Sequence, residues 1–219
     1  TLPGEIRFNE DRTAHIVPRV SGVVLQVTAD LGQQVKKGQV LATLASTAVS
    51  EQRSELSAAQ KRLKLAQLTY EREKMLWREK GSAEQDYLQA QQALQESEIA
   101  VRNAAQKLVA IGADGGSGKD LNRYEIRAPF DGMVVEKHIS LGESLKEDAP
   151  IFTLSDLSTV WAEIAVPASN LQHIRVGENV VVKADAFASS ASGKVAYVGS
   201  LLGVQTRTAT ARVTLTNPR

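Results

Sequence analysis

Three histidines, two methionines and one glycine-rich loop are the residues of this chain with the plainest chemical potential. Their spacing limits what they can do. His15, His138 and His173 stand nowhere at the i, i+3 or i, i+4 separation that sets two ligands on one helix face. A metal site would have to assemble from distant segments, with carboxylates completing a set suited to zinc. His173 is the candidate ligand for a divalent metal; a surface or structural histidine is the plainer alternative for all three. Met75 and Met133 are too few for a copper-handling cluster. The loop at 115–120 superficially suggests phosphate binding, yet Ala113 stands where the first P-loop glycine belongs and Asp120 where the magnesium-binding Ser or Thr belongs. It also follows a helical pattern, whereas the motif follows a strand. It reads as a linker over 112–120. Cysteine is absent, which removes thiolate metal sites, disulfides and cysteine nucleophiles together. No Ser/His/Asp set or catalytic carboxylate pair is defensible, so neither an enzyme nor a resident cofactor is expected.

The elements that would position these residues are easier to read. Net charge is +1, which gives no reason to expect a nucleic-acid partner. No apolar run reaches the roughly 18 residues needed to span a bilayer. Residues 47–111 read as two antiparallel helices. Leu56, Leu63, Tyr70 and Trp77 recur every seven residues on the first, with Ala59 and Ala66 three residues behind. Tyr87, Leu94, Val101 and Leu108 do so on the second, with Ala90, Ser97 and Ala104. Large residues facing small ones along a narrow seam make a coiled coil. About 30 residues per arm give a rod of about 45 Å, too long and too narrow in its seam to be a compact core. Between the arms, Gly81 is expected to turn the chain and Ser82 to cap the second helix, with Gln85 completing a capping box. The rod's mixed charges, Arg53 and Arg72 among them, read as a solvated face or as a lining between neighbours. Trp77, beside the turn, is either a cap on the hairpin's own end or an exposed anchor for a partner.

On both sides of the rod the pattern changes to short β-branched runs cut by glycines. Residues 126–154 repeat residues 16–44 at a constant shift of 110, so that Gly132 answers Gly22, Leu141-Gly142 answers Leu31-Gly32, and Thr153-Leu154 answers Thr43-Leu44. Neither piece is large enough to bury a core alone, so the two are expected to pair. That pairing brings the ends of the inserted hairpin together. Residues 157–219 are strand-rich, with one short helix expected from Pro167 to Ile174, and together with residues 1–15 they read as a small antiparallel barrel that continues past Arg219. The fold class expected is α+β, elongated and modular: a split β domain (16–46 plus 121–156), an inserted antiparallel helical hairpin and a partial β-barrel. The half-motifs of the split domain resemble the halves of a lipoyl or biotinyl carrier domain, so it is expected to be lipoyl-like.

The half-motifs Pro18–Val24, Val35–Leu41 and Ala128–Gly132, followed by Val160–Ile164 and Thr206-Arg207-Thr208, resemble the periplasmic adaptor (membrane fusion) proteins of tripartite efflux pumps. The opening Phe8–Ala14 is similar to the heavy-metal branch, whose pumps expel divalent cations. The resemblance implies a periplasmic protein attached to the inner membrane through a segment outside this fragment. It also implies an inner-membrane proton-driven transporter and an outer-membrane channel as partners, and self-association into a ring, a hexamer by family. In the family the hairpin tip meets the channel, often through an Arg, a Leu four residues on, and a Ser seven beyond that. Arg72 and Leu76 match, while the third position is Ala83 and Ser82 lies one residue early. With Trp77 and Gly81 these form the expected channel-contact tip. A lipoyl or biotinyl carrier would need a lysine near Ala48, and none is there. The other readings left open are an adaptor for drug or polypeptide export and a metal-binding periplasmic chaperone.

Overall fold

The computed structural model describes residues 2–115, 120–183, 190–199 and 208–217. Residues 116–119 of the linker and Thr206-Arg207 of the last resembling phrase lie outside the described residues.

The chain first lays down β1 (Gly4–Phe8) and β2 (Thr13–Ile16), then β3 (Gly22–Val27), β4 (Gln34–Val35) and β5 (Val40–Ala45). Two long helices follow, α1 (Thr47–Arg78) and α2 (Glu84–Ala110). The strands return as β6 (Arg123–Arg127), β7 (Gly132–Lys137), β8 (Ser144–Leu145) and β9 (Phe152–Ser155). Strands β10 (Thr159–Pro167), β11 (Asn179–Lys183), β12 (Ser190–Val198) and β13 (Thr208–Thr216) complete the order.

The repeat folds as a repeat. β2, β3, β4 and β5 correspond to β6, β7, β8 and β9, and the two four-stranded sheets run β2-β9-β7-β4 and β6-β5-β3-β8. Each sheet therefore takes two strands from each half, and neither half has a sheet of its own. The correspondence reaches single hydrogen bonds: Gly32 N–H donates to the Val134 carbonyl at 2.8 Å, and Gly142 N–H donates to the Val24 carbonyl at 3.0 Å. Gly22 and Gly132 are required for the same reason. A Cβ at Gly22 would sit 2.5 Å from the Ala45 carbonyl oxygen, and one at Gly132 would sit 2.9 Å from that of Ser155. Leu41, Leu44, Val24, Val134, Ile151, Phe152 and Leu154 fill the space between the sheets.

The alternation that marks a strand places β2 inside this unit, since His15 stands opposite Thr153 and Ile16 opposite Phe152. The lipoyl-like sheet thus begins at Thr13, ahead of the expected boundary at residue 16. Of the run from Leu31 to Val35 only Gln34 and Val35 are strand, because Leu31-Gly32 forms the turn before β4.

The second layer is a five-stranded antiparallel sheet, β1-β10-β13-β12-β11, with its own small core of Ala162, Val195, Val213 and Leu215. The short helix expected from Pro167 to Ile174 is a single 3₁₀ stretch, Ala168–His173, entered from Pro167 with no side-chain cap. Among the described residues, no helix is long and apolar enough to cross a membrane.

Candidate functional site

Helices α1 and α2 pair along the expected seam. Leu56, Ala59, Ala90, Ala104 and Leu108 are buried, and Leu63, Ala66, Tyr70, Tyr87, Leu94, Ser97 and Val101 are half-buried. Lys107 Nζ reaches Glu55 across the helices at 3.0 Å. The root of the rod is continuous with the lipoyl-like core, because Val49, Leu56, Ala104 and Leu108 pack into the same apolar cluster as Leu44 and Tyr124.

At the root stands a residue whose role the sequence reading missed. Arg53, expected on a solvated face, is only 6% exposed. Its Nε donates to the Asp114 carbonyl at 3.1 Å, and one terminal nitrogen donates to the carbonyls of Leu121 and Arg123 at 2.9 and 2.7 Å. The other terminal nitrogen reaches the Asp114 carboxylate at 2.8 Å. A planar guanidinium with five donors can tie several carbonyls at once, which an ammonium cannot. The available signal was position: Arg53 lies four residues after Val49 and three before Leu56, on the seam face. Tyr124 adds a second tie, its hydroxyl donating to the Ile111 carbonyl at 3.1 Å, and burial pushes its phenol above the ordinary tyrosine range.

The opposite end gathers five of the residues expected there. α1 ends in a Schellman arrangement, with Gly81 N–H donating to the Leu76 carbonyl at 2.8 Å and Lys80 N–H to that of Trp77 at 3.0 Å. The left-handed residue of that turn is Lys80, at φ 58°, and Gly81 is not left-handed. A Cβ at Gly81 would meet nothing closer than 3.4 Å, so the turn does not require glycine there. Ser82 does not cap α2 either. The cap position is Ala83, no side chain bonds to it, and the Ser82 hydroxyl is buried without a partner. The capping box fails because the helix starts one residue later than the pattern anticipates.

Trp77 resolves toward the cap reading, since its ring stacks on Tyr87 at 5.0 Å between centroids and 10° between planes. Tyr70 meets Tyr87 in a tilted pair at 5.7 Å between centroids, with the Lys74 ammonium 5.2 Å from the Tyr70 ring centre. Trp77 still leaves 40% of its surface in water. Arg72 and Leu76, one turn apart, sit beside this aromatic end, with Met75 exposed next to them. The Arg72 guanidinium donates to Glu73 at 2.9 Å while most of its surface stays solvated. The tip therefore offers the exposed cations Arg72, Arg78 and Lys80, an apolar rim of Met75 and Leu76, and an aromatic base.

His173 lies on the five-stranded sheet unit, its Nε2 3.2 Å from the Gln172 amide nitrogen. The other two histidines lie around Thr153 and Glu136: Glu136 accepts from the Thr153 hydroxyl at 2.7 Å, His15 Nδ1 is 3.2 Å from that same hydroxyl, and His138 Nε2 is 3.7 Å from the Glu136 carboxylate. The Thr153 hydrogen bond holds the Glu136 carboxyl below the ordinary glutamate range. Among the described residues, no three His, Asp or Glu side chains converge closely enough to hold a metal ion.

Comparison with known proteins places this geometry. The CzcB-like barrel-sandwich hybrid domain family matches residues 12–156, and the CusB-like beta-barrel domain matches residues 159–219. The cobalt-zinc-cadmium resistance protein CzcB of Cupriavidus metallidurans is 65% identical over 218 residues, covering 100% of this chain and 42% of that protein. The nickel-cobalt-cadmium resistance protein NccB of Alcaligenes xylosoxydans xylosoxydans is 29% identical, covering 97% of this chain and 52% of its own length. The crystal structure of ZneB from Cupriavidus metallidurans superposes with a TM-score of 0.67 at 29% identity, over 99% of this chain and 90% of that one. The chain thus spans about half or less of the curated relatives it matches.

Proposed function

Because this chain belongs to the CzcB-like barrel-sandwich hybrid family, we propose that it is the central part of a periplasmic adaptor for efflux of divalent heavy-metal cations. In this reading the protein is non-catalytic and links an inner-membrane proton-driven transporter to an outer-membrane channel. The cations are cargo, and no resident cofactor takes part. The observation that carries the reading is the match of the whole chain at 65% identity to a cobalt-zinc-cadmium resistance protein, together with a rod rooted by Arg53 in the lipoyl-like core.

The mechanism is geometric. The lipoyl-like sandwich holds both helix roots at one point, the helices carry the tip about 45 Å away, and the five-stranded sheet is the surface assigned to the transporter. At the tip, Arg72, Leu76 and the Trp77 edge form the contact for the channel, with the 80–82 turn setting their spacing. Copies of the chain associate as a ring around the conduit.

The test is metal tolerance in cells lacking the native adaptor. Full-length protein should restore growth on zinc, cobalt or cadmium, and Arg72→Glu should lose most of that tolerance while its circular dichroism and melting temperature stay unchanged. Full tolerance with Arg72→Glu would remove the tip contact. Failure of the unsubstituted protein to restore any tolerance would remove the metal-efflux reading.

A further inference from the structure

The lipoyl-like unit has two ports, and the 110-residue repeat relates them. The rod leaves after β5 and returns before β6, where the Ser46 N–H donates to the Asn122 carbonyl at 2.8 Å. The five-stranded sheet is joined before β2 and after β9, where the Asp156 N–H donates to the Arg12 carbonyl at 3.0 Å. Ser46 and Asp156 stand 110 residues apart, as do Arg12 and Asn122. An arginine ties each port, Arg53 at the rod and Arg12 at the sheet.

The two ties differ in what surrounds them. At the rod, Val49, Leu56, Ala104 and Leu108 carry the lipoyl-like core across the port, and Arg53 is buried. At the sheet neither apolar cluster crosses among the described residues: one extends no further than Leu154, and the other begins at Val160. What crosses there is polar, and it comes from Phe8–Ala14, the phrase similar to the heavy-metal branch. Asn9 Nδ2 donates to the Thr159 hydroxyl at 2.9 Å, while Asn9 Oδ1 accepts from the Asp11 N–H at 3.1 Å. The Thr13 hydroxyl lies 2.9 Å from both the Asn9 carbonyl and the Ser155 hydroxyl. One terminal nitrogen of Arg12 donates to the Asp156 carboxylate at 2.9 Å and to the Ser158 hydroxyl at 2.8 Å. The Ser158 N–H above all, then the Ser158 hydroxyl and Arg12, hold the Asp156 carboxyl below the ordinary aspartate range. Half of the Arg12 side chain is in water. Two units joined by a large apolar interface move as one, whereas a few solvated polar contacts leave them free to turn once broken.

We infer that the short turn at 9–13 is a latch on the joint between the five-stranded sheet and the lipoyl-like unit, and that Arg12 holds it closed. With the contacts of Arg12 to Asp156 and Ser158 made, the sheet keeps one orientation. With them broken, it turns about the two crossings at 8–13 and 155–159, while the rod stays fixed to the lipoyl-like unit. A few residues at the ends of elements are enough to absorb such a change. The latch goes beyond the adaptor reading, and its test needs no transport, so the failure of either leaves the other standing.

Paired nitroxide labels on the full-length protein, diluted with unlabelled protein and read by double electron–electron resonance, test it. Labels on cysteines at the exposed positions Lys61 and Lys146 span the rod and the lipoyl-like unit, and labels at Lys146 and Lys194 span that unit and the sheet. Any cysteine outside this segment is replaced by serine. Arg12→Ala should widen the 146–194 distance distribution about twofold or more and leave the 61–146 distribution unchanged. Asp156→Ala, which removes the partner without touching Arg12, should widen the same pair. Arg12→Lys should keep the native width, because a single nitrogen makes both contacts. Equal widths in Arg12→Ala and native protein would overturn the latch. Widening of both label pairs would overturn it too, as the mark of a loosened lipoyl-like unit, and so would an Arg12→Lys protein as wide as Arg12→Ala.

Discussion

Lys80 occupies the left-handed position of the hairpin turn at φ 58°, although glycine stands next to it. A side chain in that conformation costs about 1–2 kcal/mol. Lys80→Gly should therefore stabilise the protein by about 1 kcal/mol in denaturant unfolding, while Gly81→Val should change stability by less than about 0.5 kcal/mol. Equal and large losses from both substitutions would count against the observed turn. Glu136 gives a pH signature. Its carboxyl is held low mainly by the Thr153 hydroxyl, so the folded state favours its ionised form. The stability this adds is complete above the ordinary glutamate range and disappears as pH falls through the lowered folded value. Melts of Glu136→Gln should show a deficit at pH 7 that closes below that value, and a deficit independent of pH would refute the assignment.

At the scale of elements, the decisive junction is the root of the rod. Arg53 satisfies carbonyls from the end of the hairpin and the start of β6 with one side chain. Arg53→Ala leaves those buried acceptors unpaired and should cost about 3 kcal/mol. Arg53→Lys should recover only part of that loss, because an ammonium cannot reproduce the fork. Urea unfolding measures both, and an equal melting temperature for Arg53→Ala and native protein would show the staple to be idle. The heptad seam was legible in the sequence because each position repeats within its own helix. The staple was not, because its acceptors lie at 114, 121 and 123, on chain that meets Arg53 only after folding.

For the whole molecule, the approximate twofold of the lipoyl-like unit makes a paired prediction. Gly22→Ala and Gly132→Ala each force a methyl against a strand carbonyl, at 2.5 and 2.9 Å. Both should destabilise by about 1–3 kcal/mol, Gly22→Ala by more, as read from melting temperatures. A loss at one site only would break the equivalence of the halves. The repeat, the inserted rod and their order followed from the sequence alone. A 110-residue shift and a seven-residue period are properties of the chain itself, visible before any contact forms. Folding decided which residue turns the tip, that Trp77 stacks on Tyr87, that Arg53 is buried, and that His15 and Glu136 share the Thr153 hydroxyl. Each of those depends on groups far apart in sequence arriving at one place, and periodicity carries no record of where they arrive.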